Sequence, residues 1–505
     1  MKKKILSALA LAGVFVGVAV PMSHAQRSKP TQAPSDRPNI ITIMTDDQDI
    51  ASLKYMPRLK RLLIDQGTTF TNHTVVFPLC CPSRSGYLSG QVGHNNNVRG
   101  NTPPEGGYGN LDWTDTLPVW LSASGYATDH LGKYPNGYDG SQHPESQGVP
   151  PGWTDWNGAV DPTTYEFYHY VLNEDGTNVK HGASEEDYQT DVLTGKATDF
   201  IKKSSDDDKS FFLDVAYLAP HWEFRPGSTG TVNPGDIEGL NSPEDILGNP
   251  PVPAPRHVGM FEGLKAPHTP SYDEKDVSDK PGFVQSTDPM SDAQKRTIDV
   301  WYQRRIESLQ AVDEGIAKIL GTLADQGELD NTYIIFVADN GWMQGEHRLS
   351  LQKIRAYRES STVPLIIRGP GVARGATVTD PTSSVDIPAT IADLAGATAG
   401  HPLDGMSLAP YLEDASTKLK RAVFLETSTD DAGYYGVRVG RWRYIEYNTG
   451  ESELYDQIAD PWELESLHAD PSTKDLVAQL HDLIESFRGC AGADCVVTGV
   501  RLAKV

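Results

Sequence analysis

Apolar runs alternate with amphipathic stretches along most of the chain, and this alternation is typical of an α/β protein. In three stretches the apolar side chains recur at helical spacing on one face. The pattern therefore predicts a large α/β domain with a mostly parallel central sheet flanked by helices. The predicted strands are Asn39–Thr45, Tyr126–Leu131, Phe211–Leu218, Thr332–Ala338 and Val363–Arg368, and the predicted helices are Met56–Gln66, Asp187–Lys202 and Trp301–Gln326.

The C-terminal part of the chain has a different texture, with short alternating strands in place of long apolar runs. This change predicts a small C-terminal α+β domain with an antiparallel sheet. With 505 residues, the chain is also too long for one core, since single cores stop growing at roughly 250–300 residues. The predicted elements here are strands Ala422–Glu426, Gly436–Val439 and Arg443–Tyr447 and helix Lys474–Phe487.

Two domains and one long insertion follow from these patterns. The catalytic domain is predicted to span 38–420 and the C-terminal domain 421–505. Within the first, residues 220–288 are rich in Pro, Gly and Asp. We interpret them as a long loop that shapes a binding site.

The N-terminus has the pattern of a secretory signal. Lys2, Lys3 and Lys4 precede a short apolar stretch, and Ser23-His24-Ala25 offers small residues for cleavage. A membrane anchor is the alternative, but the stretch is short for a span. We therefore predict a signal peptide at 1–25, a flexible lead-in at 26–37, and export to the periplasm or the medium without a membrane anchor after cleavage.

The chain is strongly acidic, with 44 Lys plus Arg against 68 Asp plus Glu and a formal net charge of −24. This balance argues against a nucleic-acid partner, because phosphate binding rests on basic surface. It also means that a site for an anionic substrate must be basic locally.

Polar side chains directly follow four of the predicted strands. In open α/β sheets, ligands bind outside the carboxyl ends of the strands. One such residue alone is usually a turn residue or a helix cap, but four strands that deliver them together indicate a site. The residues are Asp46, Asp47, Lys133, His221, Asp339 and Asn340.

Four of these residues offer oxygen ligands: Asp46, Asp47, Asp339 and Asn340. Oxygen-only sets suit Ca²⁺ or Mg²⁺ rather than zinc or copper. Three carboxylates crowded together without a cation would repel one another, and a divalent ion removes that cost.

The four cysteines fall into two pairs. Cys490 and Cys495 lie close in sequence near the C-terminus, and a disulfide there suits an exported protein. Cys80 and Cys81 are adjacent, which is poor geometry for pairing with each other. They open the run Cys80-Cys81-Pro82-Ser83-Arg84, which indicates the start of a helix, and helix N-termini stabilise anions. The alternative is a pair of buried structural cysteines.

This pentapeptide resembles the maturation motif of type I sulfatases, a family of the alkaline phosphatase superfamily. The resemblance continues through Gly132-Lys133, Ala338-Asp339-Asn340-Gly341 and Glu453-Leu454-Tyr455-Asp456. It implies that Cys80 is oxidised to formylglycine (3-oxoalanine) by a separate formylglycine-generating enzyme, and that Ca²⁺ is bound, with Mg²⁺ as an alternative. It implies the metal ligands Asp46, Asp47, Cys80, Asp339 and Asn340 and the catalytic residues Cys80, Arg84, Lys133, His221 and Lys353.

The implied activity is hydrolysis of sulfate esters through a formylglycine-sulfate covalent intermediate. Lys133, Lys353 and Arg84 would hold the sulfate oxygens. His221 would protonate the departing alcohol, because histidine titrates near neutral pH. Trp222 and Arg225 follow in a predicted loop and either line the substrate pocket or pack on the surface.

Within this family, the motifs resemble the branch of glucosamine-6-sulfatases and heparan endosulfatases and the bacterial enzymes called arylsulfatases. The substrate would be an aryl sulfate or a sulfated sugar. One departure is Pro135, where many sulfatases carry a histidine, and His94 is the candidate for its role. The alternatives are a phosphate or phosphonate ester hydrolase of the same superfamily and a catalytically silent binder of sulfated glycans.

Overall fold

The computed structural model describes residues 37–207, 209–223, 249–428 and 433–504. The predicted signal peptide and all but the last residue of the predicted lead-in lie outside these ranges. No described helix is long and apolar enough to cross a membrane.

Sixteen strands and eleven α-helices, several of them single turns, make up the described chain. The strands are β1 (Asn39–Thr45), β2 (Thr68–Phe70), β3 (His73–Thr74), β4 (Ala127–Gly132), β5 (Asp155–Ala159), β6 (Val171–Glu174), β7 (Thr177–Lys180), β8 (Phe211–Ala216), β9 (Thr332–Ala338), β10 (Leu365–Arg368), β11 (Ala376–Val378), β12 (Thr382–Ser383), β13 (Ala422–Glu426), β14 (Tyr434–Val439), β15 (Trp442–Tyr447) and β16 (Ser452–Asp456). The helices are α1 (Pro57–Leu59), α2 (Cys80–Ser89), α3 (Gly93–Asn96), α4 (Leu117–Ala123), α5 (Gln189–Asp206), α6 (Gly282–Gln285), α7 (Asp292–Asp325), α8 (Arg358–Ser361), α9 (Asp386–Ala395), α10 (Ala409–Glu413) and α11 (Lys474–Phe487).

Ten strands form the central sheet, in the order β11-β2-β10-β9-β1-β8-β4-β5-β6-β7. The five strands from β9 to β5 in this order run parallel to one another. Strand β1 is buried at all seven positions, because helices and loops cover both faces of a parallel sheet. One hydrophobic cluster packs on each face. The predicted mostly parallel sheet is thereby confirmed.

The three helices predicted in the larger domain differ from the structure in their bounds. The helix predicted at Asp187–Lys202 is α5, at Gln189–Asp206. Helix α7 begins at Asp292, nine residues before the predicted start, and a capping box of Ser291 and Gln294 sets that beginning. The stretch predicted as one helix at Met56–Gln66 is instead the single turn α1 followed by a π-helix at Lys60–Ile64. Its apolar positions contact the core through Leu59 and Leu63.

The C-terminal sheet has four antiparallel strands, β13 to β16 in order, and α11 packs against β14. The antiparallel arrangement is as predicted, and the disulfide Cys490–Cys495 is present. Tyr357 donates to Glu453 Oε1 across the junction with the larger part, at 2.9 Å. The boundary between 38–420 and 421–505 stays a prediction.

The described part of the predicted loop insertion contains no strand and only short helices, a 3₁₀ turn at Pro255–His257 and α6. Residues 224–248 of the insertion, with Arg225 among them, lie outside the described chain. The insertion begins at the carboxyl edge of the central sheet, where the chain leaves β8 and continues to His221.

Candidate active site

The carboxyl ends of four parallel strands bring the polar residues into one place. Asp46 and Asp47 follow β1, Lys133 follows β4, and His221 lies five residues after β8. Asp339 and Asn340 follow β9, the neighbour of β1. All six side chains are buried. The structure therefore brings together every residue that the strand-end pattern singled out, while their individual roles stay predictions.

Cys80 is the first residue of helix α2 and lies among these side chains. Its Sγ is 2.8 Å from Lys353 Nζ and 3.6 Å from Asp46 Oδ1. Burial, with a further contribution from the charge of Asp46, raises the pKa of the Cys80 thiol to about 12. An unmodified thiol at this position is thus protonated at neutral pH and a poor nucleophile.

Asp47 and Asn340 form a corner with unsatisfied oxygen atoms. Asp47 Oδ1 accepts from Asn340 Nδ2 at 2.6 Å and from Lys353 Nζ at 2.5 Å. Asp47 Oδ2 and Asn340 Oδ1 are buried and have no hydrogen-bond partner. Asp47 also has φ +61°, a left-handed backbone conformation that Asp adopts more readily than most residues other than Gly and Asn. Buried oxygen atoms without hydrogen-bond partners are rare and indicate a functional site.

Ligand atoms of four residues in this corner lie within 4.8 Å of one another, those of Asp46, Asp47, Cys80 and His221. A cation could therefore be held here, and the orphaned oxygens of Asp47 and Asn340 give it further ligands. Asp339 is not one of the four. Its carboxylate accepts from Arg84 Nε at 2.9 Å and from the backbone N–H groups of Asp47 and Asn340 at 3.1 and 2.8 Å.

Arg84 connects the two carboxylates that follow β1 and β9. Besides Asp339, its guanidinium donates to Asp46 Oδ2 at 3.3 Å and to the carbonyl of Lys133 at 2.8 Å. Burial opposes the charge of Arg84, yet Asp339 and Asp46 raise its pKa, so it is permanently cationic. Arg84 lies one turn into α2, and this helix therefore places both Cys80 and Arg84 in the site.

Three cations, Arg84, Lys133 and Lys353, balance the three carboxylates of the site, although the whole chain is acidic. Lys133 Nζ donates to Asp46 and Lys353 Nζ to Asp47, and both amines are buried. Burial would raise the pKa of Asp46, but Lys133, His221 and Arg84 hold it below its usual value. Lys353 and His221 do the same for Asp47 against its burial. The charged groups thus compensate one another, and the site lacks the excess of negative charge that the whole chain carries.

A cavity of about 340 Å³ opens above Cys80. Its wall includes Lys353, His221 and Trp222, so Trp222 lines the pocket, whereas Arg225 lies outside the described residues. Asn136, Asp161 and Tyr165 are among the further lining residues that the sequence did not indicate. They lie in loops after β4 and β5, where no local pattern marks them.

Arg305 on α7 is another residue of the site that the sequence reading did not single out. It is buried, and its guanidinium donates to the carbonyl oxygens of Asp47 and Pro220. It therefore fixes the backbone at Asp47 and at Pro220, the residue before His221. A signal existed in the sequence, because Arg305 occupies the apolar face of a predicted helix beside Ile306 and Leu309.

His94 does not take part in the site. Its Nδ1 lies 2.8 Å from Glu426 and its Nε2 lies 3.1 Å from the Cys490 carbonyl oxygen, and it is not among the residues that line the cavity. The hypothesis that His94 replaces the histidine missing at Pro135 is therefore wrong, because both of its ring nitrogens are held by the C-terminal region.

A buried cluster of carboxylates, lysines and an arginine lies at the carboxyl edge of a mostly parallel sheet, which is where ligands bind in this class of fold. Within that class, the chain belongs to the sulfatase family, and it is a sulfuric ester hydrolase. Residues 38–397 match the family described as Sulfatase, and residues 345–489 match the one described as N-sulphoglucosamine sulphohydrolase, C-terminal.

Known proteins with similar sequences support this placement. An arylsulfatase of Volvox carteri is 32% identical over 551 residues, which cover 98% of this chain and 79% of that protein. The human N-acetylglucosamine-6-sulfatase is 29% identical over 92% of this chain and 87% of its own length. The predicted family and its branch are thereby confirmed.

The fold is shared with a protein solved in complex with its substrate D-glucosamine-2-N,6-O-disulfate. The TM-score is 0.72 at 23% sequence identity, and the match covers 90% of this chain and 97% of that one. At this identity the likeness shows the fold alone.

Proposed function

We propose that this sulfatase cleaves its esters with a formylglycine formed from Cys80, next to a bound divalent cation. The observation that supports this most is the position of Cys80. It lies at the start of α2, in contact with Lys353 and near Asp46, at the base of the cavity. The modified residue supplies a hydrated aldehyde whose hydroxyl is the nucleophile, which the protonated thiol is not.

Ca²⁺, or alternatively Mg²⁺, fits the residues that surround this position. Asp46, Asp47 and Asn340 provide oxygen atoms. Two of these, Asp47 Oδ2 and Asn340 Oδ1, are buried without a hydrogen-bond partner. Residue 80 and Asp339 complete the proposed ligand set. When bound, the cation supplies positive charge that stabilises the sulfate oxygens and the nucleophile.

Lys133, Lys353 and Arg84 are proposed to hold the sulfate group. Each lysine carries three donors, and the carboxylate contacts seen here use only part of that capacity. Arg84 stays bonded to Asp339 and Asp46, so it orients the site and adds positive charge to it. Donors fixed in advance stabilise charge that develops in the transition state.

His221 is proposed to protonate the leaving alcohol. Its Nδ1 faces the Trp222 carbonyl oxygen at 2.7 Å, which turns Nε2 toward the carboxylates and the cavity. Burial lowers the pKa of His221 to about 4, despite the opposing charges of Asp46 and Asp47. The negative charge of a sulfate ester in the cavity would raise that pKa and so favour uptake of a proton from solvent by His221.

The partners are a sulfate-ester substrate and an enzyme that oxidises residue 80. The relatives named above act by their descriptions on aryl sulfates and on a sulfated glucosamine. We infer export from the segment 1–25, which has the pattern of a signal peptide.

Replacement of Cys80 by serine tests the nucleophile. The Cys80→Ser variant can still accept sulfate, but it lacks the second hydroxyl of the hydrated aldehyde and cannot expel the sulfate group again. We expect a stable sulfated protein on intact mass analysis after incubation with substrate. Cys81→Ala is the matched control, because Cys81 is adjacent and buried but occupies the variable position of the motif. Full turnover by Cys80→Ser would refute the proposed nucleophile.

A further inference from the structure

A second group of metal-ligating side chains lies outside the site described above. Ligand atoms of His347, Glu359 and Glu463 lie within 4.8 Å of one another. His347 follows β9, Glu359 belongs to α8, and Glu463 lies in the segment after β16. The larger part of the chain and its C-terminal part therefore meet at this group. None of the three residues lines the cavity above Cys80.

His347 has one ring nitrogen held by a carboxylate and one without a hydrogen-bond partner. Its ring is fully buried, and Nδ1 lies 2.6 Å from Glu274 Oε2, which holds the proton on Nδ1. Nε2 is buried and has no hydrogen-bond partner among the described residues, so it is the nitrogen that remains for Glu359 and Glu463. A carboxylate that fixes one ring nitrogen and leaves the lone pair of the other to a cation is the usual setting of a metal-binding histidine.

Hydrogen bonds hold the Glu463 carboxylate in position. Its Oε2 accepts from the backbone N–H of Arg358 at 3.0 Å, and its Oε1 accepts from Gln457 Nε2 at 2.7 Å. Arg443 Nε lies 3.1 Å from the same Oε1. Each carboxylate oxygen has two lone pairs, so these contacts leave capacity for a cation. Carboxylates that bind metals are commonly fixed by such outer hydrogen bonds.

Glu359 gives the group a connection to solvent. It is half-buried and lines a cavity of about 290 Å³, together with Asp49 and Glu346. Burial, and then the charge of Glu463, raise the pKa of Glu359, because two nearby carboxylates repel each other. A divalent cation between them removes that repulsion. The cavity provides the path by which an ion and a water ligand enter.

The ligand types favour zinc over calcium. Zn²⁺ binds histidine nitrogen and carboxylate oxygen, whereas Ca²⁺ takes oxygen ligands. Zinc ligands lie about 2.0–2.2 Å from the ion and therefore about 3.4 Å from one another in a tetrahedron. The ligand atoms here lie within 4.8 Å, so they need to approach by at most about 1.4 Å. Glu359, half-buried on the single-turn helix α8, is the side chain best placed to move.

We infer that His347, Glu359 and Glu463 bind Zn²⁺, with water from the cavity as the fourth ligand. His347 and Glu359 stand at the two ends of the segment that carries Lys353. One ion at these ends therefore fastens the Lys353 segment to the C-terminal part of the chain. The inference does not depend on the reaction proposed for Cys80.

Equilibrium dialysis against Zn²⁺ in excess Ca²⁺, followed by metal analysis, tests the site. We expect about one tightly bound Zn²⁺ per wild-type chain and at least about 100-fold weaker binding to His347→Gln. Glu359→Gln, at a half-buried position, should also lose the zinc, and it carries the test if His347→Gln does not fold. Amide hydrogen exchange across residues 348–358 should slow with Zn²⁺ in the wild type and stay unchanged in His347→Gln.

His481→Gln is the matched control, because ligand atoms of His481, Glu446 and Glu485 also lie within 4.8 Å of one another, but His481 is exposed on α11. Asp47→Asn is the second control, since it alters the other group of ligands, in the active site. Both should keep the zinc. Zinc that stays on His347→Gln but leaves either control would overturn the inference, and so would a wild type that binds none. Each of these results leaves the proposed function intact.

Discussion

Lys353 Nζ lies 2.8 Å from the Cys80 sulfur and 2.5 Å from Asp47 Oδ1, so one ammonium group joins the candidate nucleophile to a candidate metal ligand. Burial opposes this charge, but the carboxylates of Asp47 and Asp46 raise the pKa of Lys353, so it is cationic at neutral pH. A permanent positive charge at this point stabilises an anion that binds beside residue 80.

Loss of that charge should affect the reaction more than the fold. We expect Lys353→Met to lower kcat/KM for a sulfate ester by about 100- to 1000-fold, as removal of one donor to a developing charge does elsewhere. Lys275→Met is the matched control, because Lys275 is exposed on a loop outside the cavity. Steady-state kinetics with folded protein checks this, and a loss of less than threefold would show that Lys353 does not bind the sulfate.

The metal prediction centres on Asp47, whose buried Oδ2 has no hydrogen-bond partner in the described chain and lies 3.5 Å from His221 Nε2. Asp47→Asn keeps the shape and tolerates φ +61°, but it removes the charge that a cation needs. We expect the wild type to bind Ca²⁺ and melt at a higher temperature with it, and the variant to lose this shift.

The control for that variant is Asp175→Asn, an exposed aspartate that also has positive φ, at +46°. Metal content after dialysis and thermal denaturation with and without Ca²⁺ or Mg²⁺ are the measurements. Asp339 is a proposed metal ligand, but here it accepts hydrogen bonds from Arg84 and two backbone amides. Metal content of Asp339→Ala therefore distinguishes a metal ligand from a residue that only holds these donors. If Asp47→Asn binds metal as tightly as the wild type, the cation is held elsewhere.

Stability should fall in mild acid because of His73. Burial, with a smaller contribution from Arg421 and against the charge of Asp386, lowers the pKa of His73 to about 4 in the folded chain. In the unfolded chain His73 has its ordinary pKa near 6.5. Between pH 6.5 and 4, His73 is therefore protonated in the unfolded chain and neutral in the folded chain. The free energy of unfolding should decrease over this window by about 3 kcal/mol from this group and stay level below it.

Urea denaturation at several pH values measures this effect in the wild type and in His73→Gln. The variant should show a flatter dependence between pH 6.5 and 4, whatever its stability at pH 7. His268→Gln, at a half-exposed histidine, should keep the slope of the wild type. Equal slopes in all three proteins would mean that His73 accepts its proton without unfolding.

The strands that carry the site could be predicted from the sequence, because buried strands are recognisable as short apolar runs. Strands β1 and β9 are rich in apolar residues, and their predicted bounds agree with the structure. The rule that ligands bind at carboxyl ends then placed Asp46 and Asp339 at one edge. Helix α11 was equally clear, because its apolar positions repeat at helical spacing.

The wall of the cavity could not be predicted in this way. Asn136 and Asp161 meet because the loops after β4 and β5 fold back on each other, and the Gly137 amide joins them. Tyr165 reaches the same wall from a 3₁₀ turn at Thr163–Tyr165. No periodicity governs such loop paths, so contacts of this kind become visible only in three dimensions.

The most direct measurement is the mass of the tryptic peptide spanning residues 62–84, from protein expressed in its native host, reduced and alkylated. The account predicts the mass of an aldehyde or its hydrate at residue 80 and a single alkyl group, on Cys81. Two alkyl groups on unmodified cysteines would contradict it, because the buried, protonated thiol of Cys80 cannot serve as the nucleophile.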